Sequence, residues 1–129
     1  MSMEIVKEFR FDAAHFLPTA PEGHPYRRLH GHSFRVAVTI AGSPDPVTGW
    51  LADFAEIERA LLRLRDGLDH RLLNEVAGLA VPTLENLAFW IHGALAGALP
   101  GLAAVTIHRE SAGESCTYRP ILDSNPSTE

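Results

Sequence analysis

Two closely spaced histidines are the residues whose type and spacing best fit a chemical role. His30 and His32 flank a single glycine, Gly31, which leaves room between their rings. Residues two apart on a β-strand point to the same face, so both imidazoles would face one spot. Neutral imidazoles are suitable zinc ligands, but two of them do not complete a site.

His15 is the third candidate ligand. It ends the segment "FRFDAAH" and has the same parity as Phe9 and Phe11, on a strand that would pair with the strand of His30 and His32. Three histidines that leave a fourth position open are typical of a catalytic rather than a structural zinc site. The alternative is an incidental His-x-His pair, which is common in unrelated proteins.

The segments that must position these histidines follow two periodicities. Alternating apolar residues predict a first strand over Met3–Phe11 and a second over Phe34–Ile40. Asp53 and Glu56 have the spacing of a capping box, and we expect a helix from Asp53 to Gly67. Its predicted apolar stripe comprises Phe54, Ile57, Leu61 and Leu64.

A second helix and two more strands complete the pattern. Thr83 is the predicted cap of the helix, whose buried face would consist of Leu84, Leu87, Ala88, Ile91 and Leu95. Val105 and Ile107 predict a third strand, and "SCTYR" predicts a fourth after the turn "ESAGE". The order ββααββ predicts an α+β fold, an antiparallel four-stranded sheet with two helices on one face.

Length and composition limit the classes of function. The chain has 129 residues, and we expect one domain over residues 1–122 and a polar, disordered tail over 123–129. A net charge of −5 argues against nucleic-acid binding, and the longest uncharged segment is broken by glycine and proline, so no membrane span is expected. With one cysteine, Cys116, and no signal peptide pattern, we expect a cytoplasmic protein.

Six short segments occur in an order that resembles a known family. They are "FDAAHFLP", "RLHGHSF", "GWLADFAEIE", "LDHRLLNE", "PTLENLA" and a glutamate followed by "CTYR". Together they resemble the 6-pyruvoyltetrahydropterin synthase superfamily, most closely its bacterial 6-carboxytetrahydropterin synthase branch in the queuosine pathway. The resemblance implies the tunnelling fold, in which two trimers stack into a homo-hexamer with active sites at subunit interfaces.

The resemblance also implies roles for individual residues. His15, His30 and His32 match the family's zinc ligands, and Asp69 and His70 match an Asp-His pair that relays protons. The alternative for Asp69 and His70 is a helix-terminal carboxylate beside a surface imidazole.

Two further positions match residues that contact the pterin. Glu110 matches the carboxylate that accepts two hydrogen bonds from the pterin ring, and the resemblance also implies a catalytic role for it through a link to the proton relay. Thr83 matches a threonine near that ring, although a helix cap is an equal alternative.

The triphosphate of the substrate could be bound by Arg27, Arg28 or Lys7.

The implied reaction converts 7,8-dihydroneopterin triphosphate to 6-carboxy-5,6,7,8-tetrahydropterin. The family's catalytic cysteine stands four residues before the His-Gly-His motif, and this chain has Tyr26 there. Either Tyr26 or His24 could take over the proton transfer.

Two alternatives to this function remain. One is a related synthase that yields 6-pyruvoyltetrahydropterin or 6-hydroxymethyldihydropterin, and the other is a non-catalytic zinc- and pterin-binding oligomer.

Overall fold

The computed structural model describes residues 2–120 and contains one sheet and two α-helices. The predicted tail, residues 123–129, lies outside the described residues. The elements are strands β1 (Met3–His15) and β2 (His30–Gly42), helices α1 (Phe54–Asp66) and α2 (Leu84–Leu95), and strands β3 (Leu102–Arg109) and β4 (Glu114–Tyr118). Adjacent strands follow the order of the sequence and are all antiparallel, which confirms the predicted ββααββ fold.

The first two strands extend beyond the hydrophobic alternation that predicted them. β1 continues past Phe11 to His15, and β2 begins at His30 rather than Phe34. Backbone pairing does not depend on apolar side chains, so the ladder continues to the pair His15–His30. The histidines therefore project from paired strands instead of a loop.

Helix α1 begins and ends as predicted. The Asp53 carboxylate accepts a hydrogen bond from the backbone N–H of Ala55, and Gly67 follows the last turn. Ile57 and Leu61 are buried, whereas Phe54 is exposed. Phe54, the first residue of the predicted apolar stripe, lies in the first turn at the edge of the core and borders a surface groove.

Helix α2 has the predicted cap and the predicted buried face. The hydroxyl of Thr83 accepts a hydrogen bond from the backbone N–H of Asn86 at 3.1 Å. All five residues of the predicted apolar face are buried, namely Leu84, Leu87, Ala88, Ile91 and Leu95.

The two faces of the sheet differ in what covers them. The core lies between the helices and one face, where the rings of Phe11 and Phe34 stack at 4.9 Å between centroids. By alternation, Arg10 and Arg35 project from the opposite, open face. His15, His30 and His32 share the parity of the core residues, so their rings lie on the helix side. Within residues 2–120, no helix has the length and apolar character needed to cross a membrane.

Candidate metal centre and ligand cleft

The three predicted histidines form a cluster at one end of the β1–β2 ladder. One ring nitrogen from each of His15, His30 and His32 lies within 4.8 Å of the others. The Nε2 atoms of His15 and His30 are 3.1 Å apart. Ligands of a tetrahedral zinc ion lie about 3.3–3.4 Å apart when each Zn–N bond is about 2.0–2.1 Å, so this spacing fits a metal site.

Backbone carbonyls fix the orientation of two of these rings. Nδ1 of His15 lies 3.0 Å from the carbonyl oxygen of Pro82, and Nδ1 of His30 lies 2.7 Å from that of Arg28. A carbonyl oxygen only accepts, so each Nδ1 carries the proton and donates it. In the neutral rings both Nε2 lone pairs then point at each other, an arrangement that a shared cation would stabilise. The three histidines could therefore hold a divalent metal.

Burial keeps His15 neutral. Its side chain is 1% exposed, and desolvation lowers its pKa to about 4, although the hydrogen bond to Pro82 opposes the shift. Burial, together with the positive charge of Arg109, also lowers the pKa of His32. Neutral imidazole is the form that binds metals, so both rings are ready for ligation at neutral pH.

Tyr26 lies beside this cluster. It lines a cleft of about 390 Å³, here called the Tyr26 cleft, whose wall also contains His30, His32, Arg28 and Arg109. A short 3₁₀ helix, Pro25–Arg27, positions Tyr26, and His24 caps it by accepting a hydrogen bond from the backbone N–H of Tyr26. The phenol ring is half exposed and borders the same space as two of the candidate ligands.

Asp69 and His70 form a hydrogen-bonded pair in the turn after α1. Oδ2 of Asp69 lies 3.0 Å from Nδ1 of His70, and Arg65 contacts the same oxygen at 3.2 Å. The backbone N–H of Asp12, with further help from His70 and Arg65, lowers the pKa of Asp69. An ionised carboxylate on Nδ1 fixes the imidazole tautomer and leaves Nε2 free for proton transfer.

His70 has a left-handed backbone conformation, with φ at 60°. Such a φ is uncommon outside glycine and persists where the surroundings impose it. Here its N–H donates to the carbonyl of Asp12 at 2.6 Å. The side chain of His70 is 77% exposed and lines an open groove with Ser33 and His32, here called the His70 groove. His70 and Tyr26 thus border different depressions, both of which include His32.

Glu110 lies next to the Tyr26 cleft, but its carboxylate contacts the open face of the sheet. Its neighbour Arg109 lines the cleft. Oε1 of Glu110 accepts a hydrogen bond from Arg10 at 2.8 Å, and Oε2 lies 3.1 Å from Nε of Arg35. The Arg10 guanidinium, with Arg35 beside it, holds the pKa of Glu110 below its usual value. These two arginines were not anticipated, because only strand register brings them to Glu110.

The structure separates the three basic residues that were considered for a phosphate. Lys7 pairs with Glu58 on α1 at 3.1 Å, away from the Tyr26 cleft. Arg27 donates to the carbonyl oxygens of Pro18 and Ala20, so it holds its own loop in place. Arg28 alone of these three lines the cleft. Thr83 caps α2 and directly follows Pro82, the residue whose carbonyl holds His15.

The chain combines a four-stranded antiparallel sheet, two helices on one face, and three histidines beside a cleft at the end of the sheet. This fold and site could hold a metal next to a ligand. Residues 4–121 match the family described as 6-pyruvoyl tetrahydropterin synthase, and the chain belongs to this family. The match covers nearly all of the described residues.

Two curated relatives show how far this similarity extends. The chain is 43% identical over 119 residues to a 6-carboxy-5,6,7,8-tetrahydropterin synthase from Synechocystis sp.. The aligned region covers 88% of this chain and 87% of that protein. It is 34% identical over 101 residues to a dihydroneopterin monophosphate aldolase from Pyrococcus furiosus, covering 78% and 82% of the two chains.

A solved structure has the same fold. The 6-pyruvoyl tetrahydropterin synthase of Caenorhabditis elegans superposes with a TM-score of 0.83 at 23% identity, over 94% of this chain and 97% of that one. The family membership supports a pterin synthase class of enzyme for this chain.

Proposed function

We propose that this protein is a zinc-dependent 6-carboxy-5,6,7,8-tetrahydropterin synthase that acts on 7,8-dihydroneopterin triphosphate in the cytoplasm, within queuosine biosynthesis. The proposed product is the one in the name of the Synechocystis relative. The observation that carries the proposal is the convergence of the Nε2 atoms of His15 and His30. In each of these rings, Nδ1 donates its proton to a backbone carbonyl.

His15, His30 and His32 would hold the zinc ion. When bound there, zinc would act as a Lewis acid toward oxygen atoms of the ligand side chain. The Tyr26 hydroxyl borders the same cleft, and we assign it the proton transfer that the family's cysteine performs. Asp69 would hold the His70 ring so that Nε2 of His70 exchanges the second proton.

The pterin ring would be bound at Glu110. A carboxylate oxygen can accept more than one donor, so Glu110 can keep Arg10 and Arg35 and still accept two ring N–H groups. Thr83 would approach the ring from the start of α2, in addition to its observed role as a cap. In this proposal Glu110 orients the ring, and the histidine cluster receives the side chain.

The proposed assembly is a homo-hexamer, a dimer of trimers, with active sites between subunits. Its support within the chain is that Tyr26 and His70 border separate depressions. His70 of a second copy could face the Tyr26 cleft and bring both proton-transfer groups to one ligand. Sedimentation of the purified protein would test the assembly: a monomer at micromolar concentration would contradict it.

One assay tests the proposed reaction directly. Zinc-loaded protein is incubated with 7,8-dihydroneopterin triphosphate, and the products are identified by mass spectrometry beside a zinc-stripped control. We expect 6-carboxytetrahydropterin to accumulate only in the zinc-loaded sample. Equal, background amounts of product in both samples would overturn the proposal.

A second candidate reaction has its own support. The Pyrococcus furiosus relative is named as an aldolase of dihydroneopterin monophosphate, and Tyr26 replaces the cysteine expected for the carboxy product. Side-chain cleavage would give 6-hydroxymethyldihydropterin, whose mass differs from that of 6-carboxytetrahydropterin. The same assay therefore distinguishes the two reactions.

A further inference from the structure

The Tyr26 cleft contains two guanidinium groups that none of the proposed steps above uses. Arg28 and Arg109 both line it, together with His30 and His32. Arg28 makes no side-chain hydrogen bond or ion pair with any residue of the described chain. The carboxylate of Glu114 lines the same cleft, so two arginines and one carboxylate leave it one net positive charge, in a protein of net charge −5.

Arg109 is held in place but is incompletely satisfied. Its Nη2 atom lies 2.6 Å from Oε1 of Glu114, and the side chain is 17% exposed. Its Nε atom is buried and has no hydrogen-bond partner within residues 2–120. Because Nε is shielded, the exposed 17% of the side chain belongs to its other atoms, and these are what a ligand in the cleft could contact.

The chemistry of the cleft indicates which kind of group would fill this position. Guanidinium groups bind phosphate oxygens with paired, charge-assisted hydrogen bonds. Glu114 lines the cleft beside Arg109, with which it is paired. Leu17, Leu29 and Ala112 form an apolar part of the wall, which would suit the carbon chain of a ligand rather than its charged end. A cleft of about 390 Å³ is large enough for a ligand side chain and its phosphates.

We propose that Arg28 and Arg109 form the subsite for the phosphate-bearing end of the ligand, with its remaining atoms extending toward His30 and His32. This inference rests on the proposed function, because it assigns the part of the cleft that receives the phosphates of the pterin substrate. It makes Arg28 and Arg109 binding residues that discriminate phosphorylated from unphosphorylated pterins.

The test uses two oxidised, unreactive ligands, neopterin and neopterin triphosphate, whose binding is followed by pterin fluorescence on the zinc-loaded protein. Arg109→Gln and Arg28→Gln should each weaken binding of the triphosphate about tenfold, because each removes a charge-assisted contact, and should leave neopterin binding within about twofold. Arg63→Gln is the matched control, since Arg63 is exposed on α1 and outside the cleft. Raising the salt concentration should weaken triphosphate binding less in Arg28→Gln than in the parent.

The outcomes distinguish failure of the phosphate subsite from failure of the proposed function. If both cleft variants bind the triphosphate as tightly as the parent, the phosphate subsite is wrong while the proposed function stands. If they lose both ligands equally, the arginines are structural and the subsite is also wrong. If the parent protein binds neither ligand, the proposed function itself fails. Arg28→Gln removes no side-chain hydrogen bond or ion pair within the described chain, so we expect this variant to fold like the parent.

Discussion

The carboxylate of Asp69 accepts a hydrogen bond from the backbone N–H of Asp12 at 3.0 Å, and the carbonyl of Asp12 accepts one from the backbone N–H of His70. This reciprocal contact fastens the turn after α1 to strand β1. It places the exposed His70 ring beside the end of the sheet where the three clustered histidines lie. The position of His70 therefore depends on the contact between Asp69 and Asp12, which are 57 residues apart in the sequence.

Removing the charge of Asp69 should change stability in acid. The pKa of Asp69 is lowered in the folded state. At a pH between this lowered pKa and the ordinary pKa of aspartate, the unfolded chain therefore binds more protons than the folded chain. The stabilisation is present above about pH 4 and is lost as pH falls through the folded pKa. In urea denaturation between pH 5 and pH 3, Asp69→Asn should therefore lose less stability than the parent.

The matched control for this experiment is Asp66→Asn. Asp66 is the last residue of α1, three positions before Asp69; it is exposed and makes no ion pair within residues 2–120. Its unfolding free energy should follow that of the parent across the acid range. Parallel curves for the parent and Asp69→Asn would contradict the assigned contact.

Arg10 should set the pH at which a pterin ligand is lost. In the proposed function, ring binding requires ionised Glu110, and Arg10 is the main group that lowers the pKa of this carboxyl. In Arg10→Gln the pKa rises, so the acid limit of neopterin binding should move to higher pH. Fluorescence titrations at a series of pH values measure this limit, with Arg59→Gln as the exposed control. An unmoved limit would mean that Glu110 does not bind the ring.

Tyr26→Phe should separate proton transfer from metal binding. The substitution removes only the hydroxyl, and the ring can keep its contact with His24, whose centroid lies 4.4 Å away. If the hydroxyl transfers a proton, kcat should fall by about 10²-fold or more with zinc content unchanged. His24→Ala is the comparison: a large loss of kcat there, with Tyr26→Phe fully active, would assign the step to His24. Tyr26→Cys should remain active.

Phe34 supports both the core and the histidine cluster. Its ring is 1% exposed, stacks on Phe11, and contacts the rings of His15 and His32 at 6.2 and 5.8 Å between centroids. Phe34→Ala should lower the free energy of unfolding by about 3–5 kcal/mol, as large-to-small changes in cores do. Val47→Ala, at a residue that is 91% exposed, should change it by less than about 0.5 kcal/mol. Thermal and urea denaturation measure both, and similar losses would contradict the assigned core.

Some of this architecture is local enough to predict from the sequence. Each buried residue of α2 follows from helical periodicity, and its start follows from Thr83 because a cap acts within one turn. The histidine cluster needs only the alternation of two strands and the pairing of His15 with His30. Its position could therefore be expected before the structure.

Other parts of the site depend on long-range pairing that no local pattern specifies. Glu110 meets Arg10, a residue 100 positions earlier, because three strands lie in one register. The partner of His15 is the backbone carbonyl of Pro82, and a carbonyl leaves no signature in residue type. The buried donor of Arg109 likewise follows from packing. Such contacts are visible only when the strands and loops are assembled.

Metal analysis of the purified protein tests the central claim most directly. After removal of metals with a chelator, incubation with zinc and extensive dialysis, the parent should retain about one zinc ion per chain. His15→Ala, His30→Ala and His32→Ala should each retain far less, while His108→Ala, a histidine outside the cluster, should match the parent. A parent chain without zinc, or three cluster variants that keep it, would contradict the assignment of His15, His30 and His32 as a metal centre.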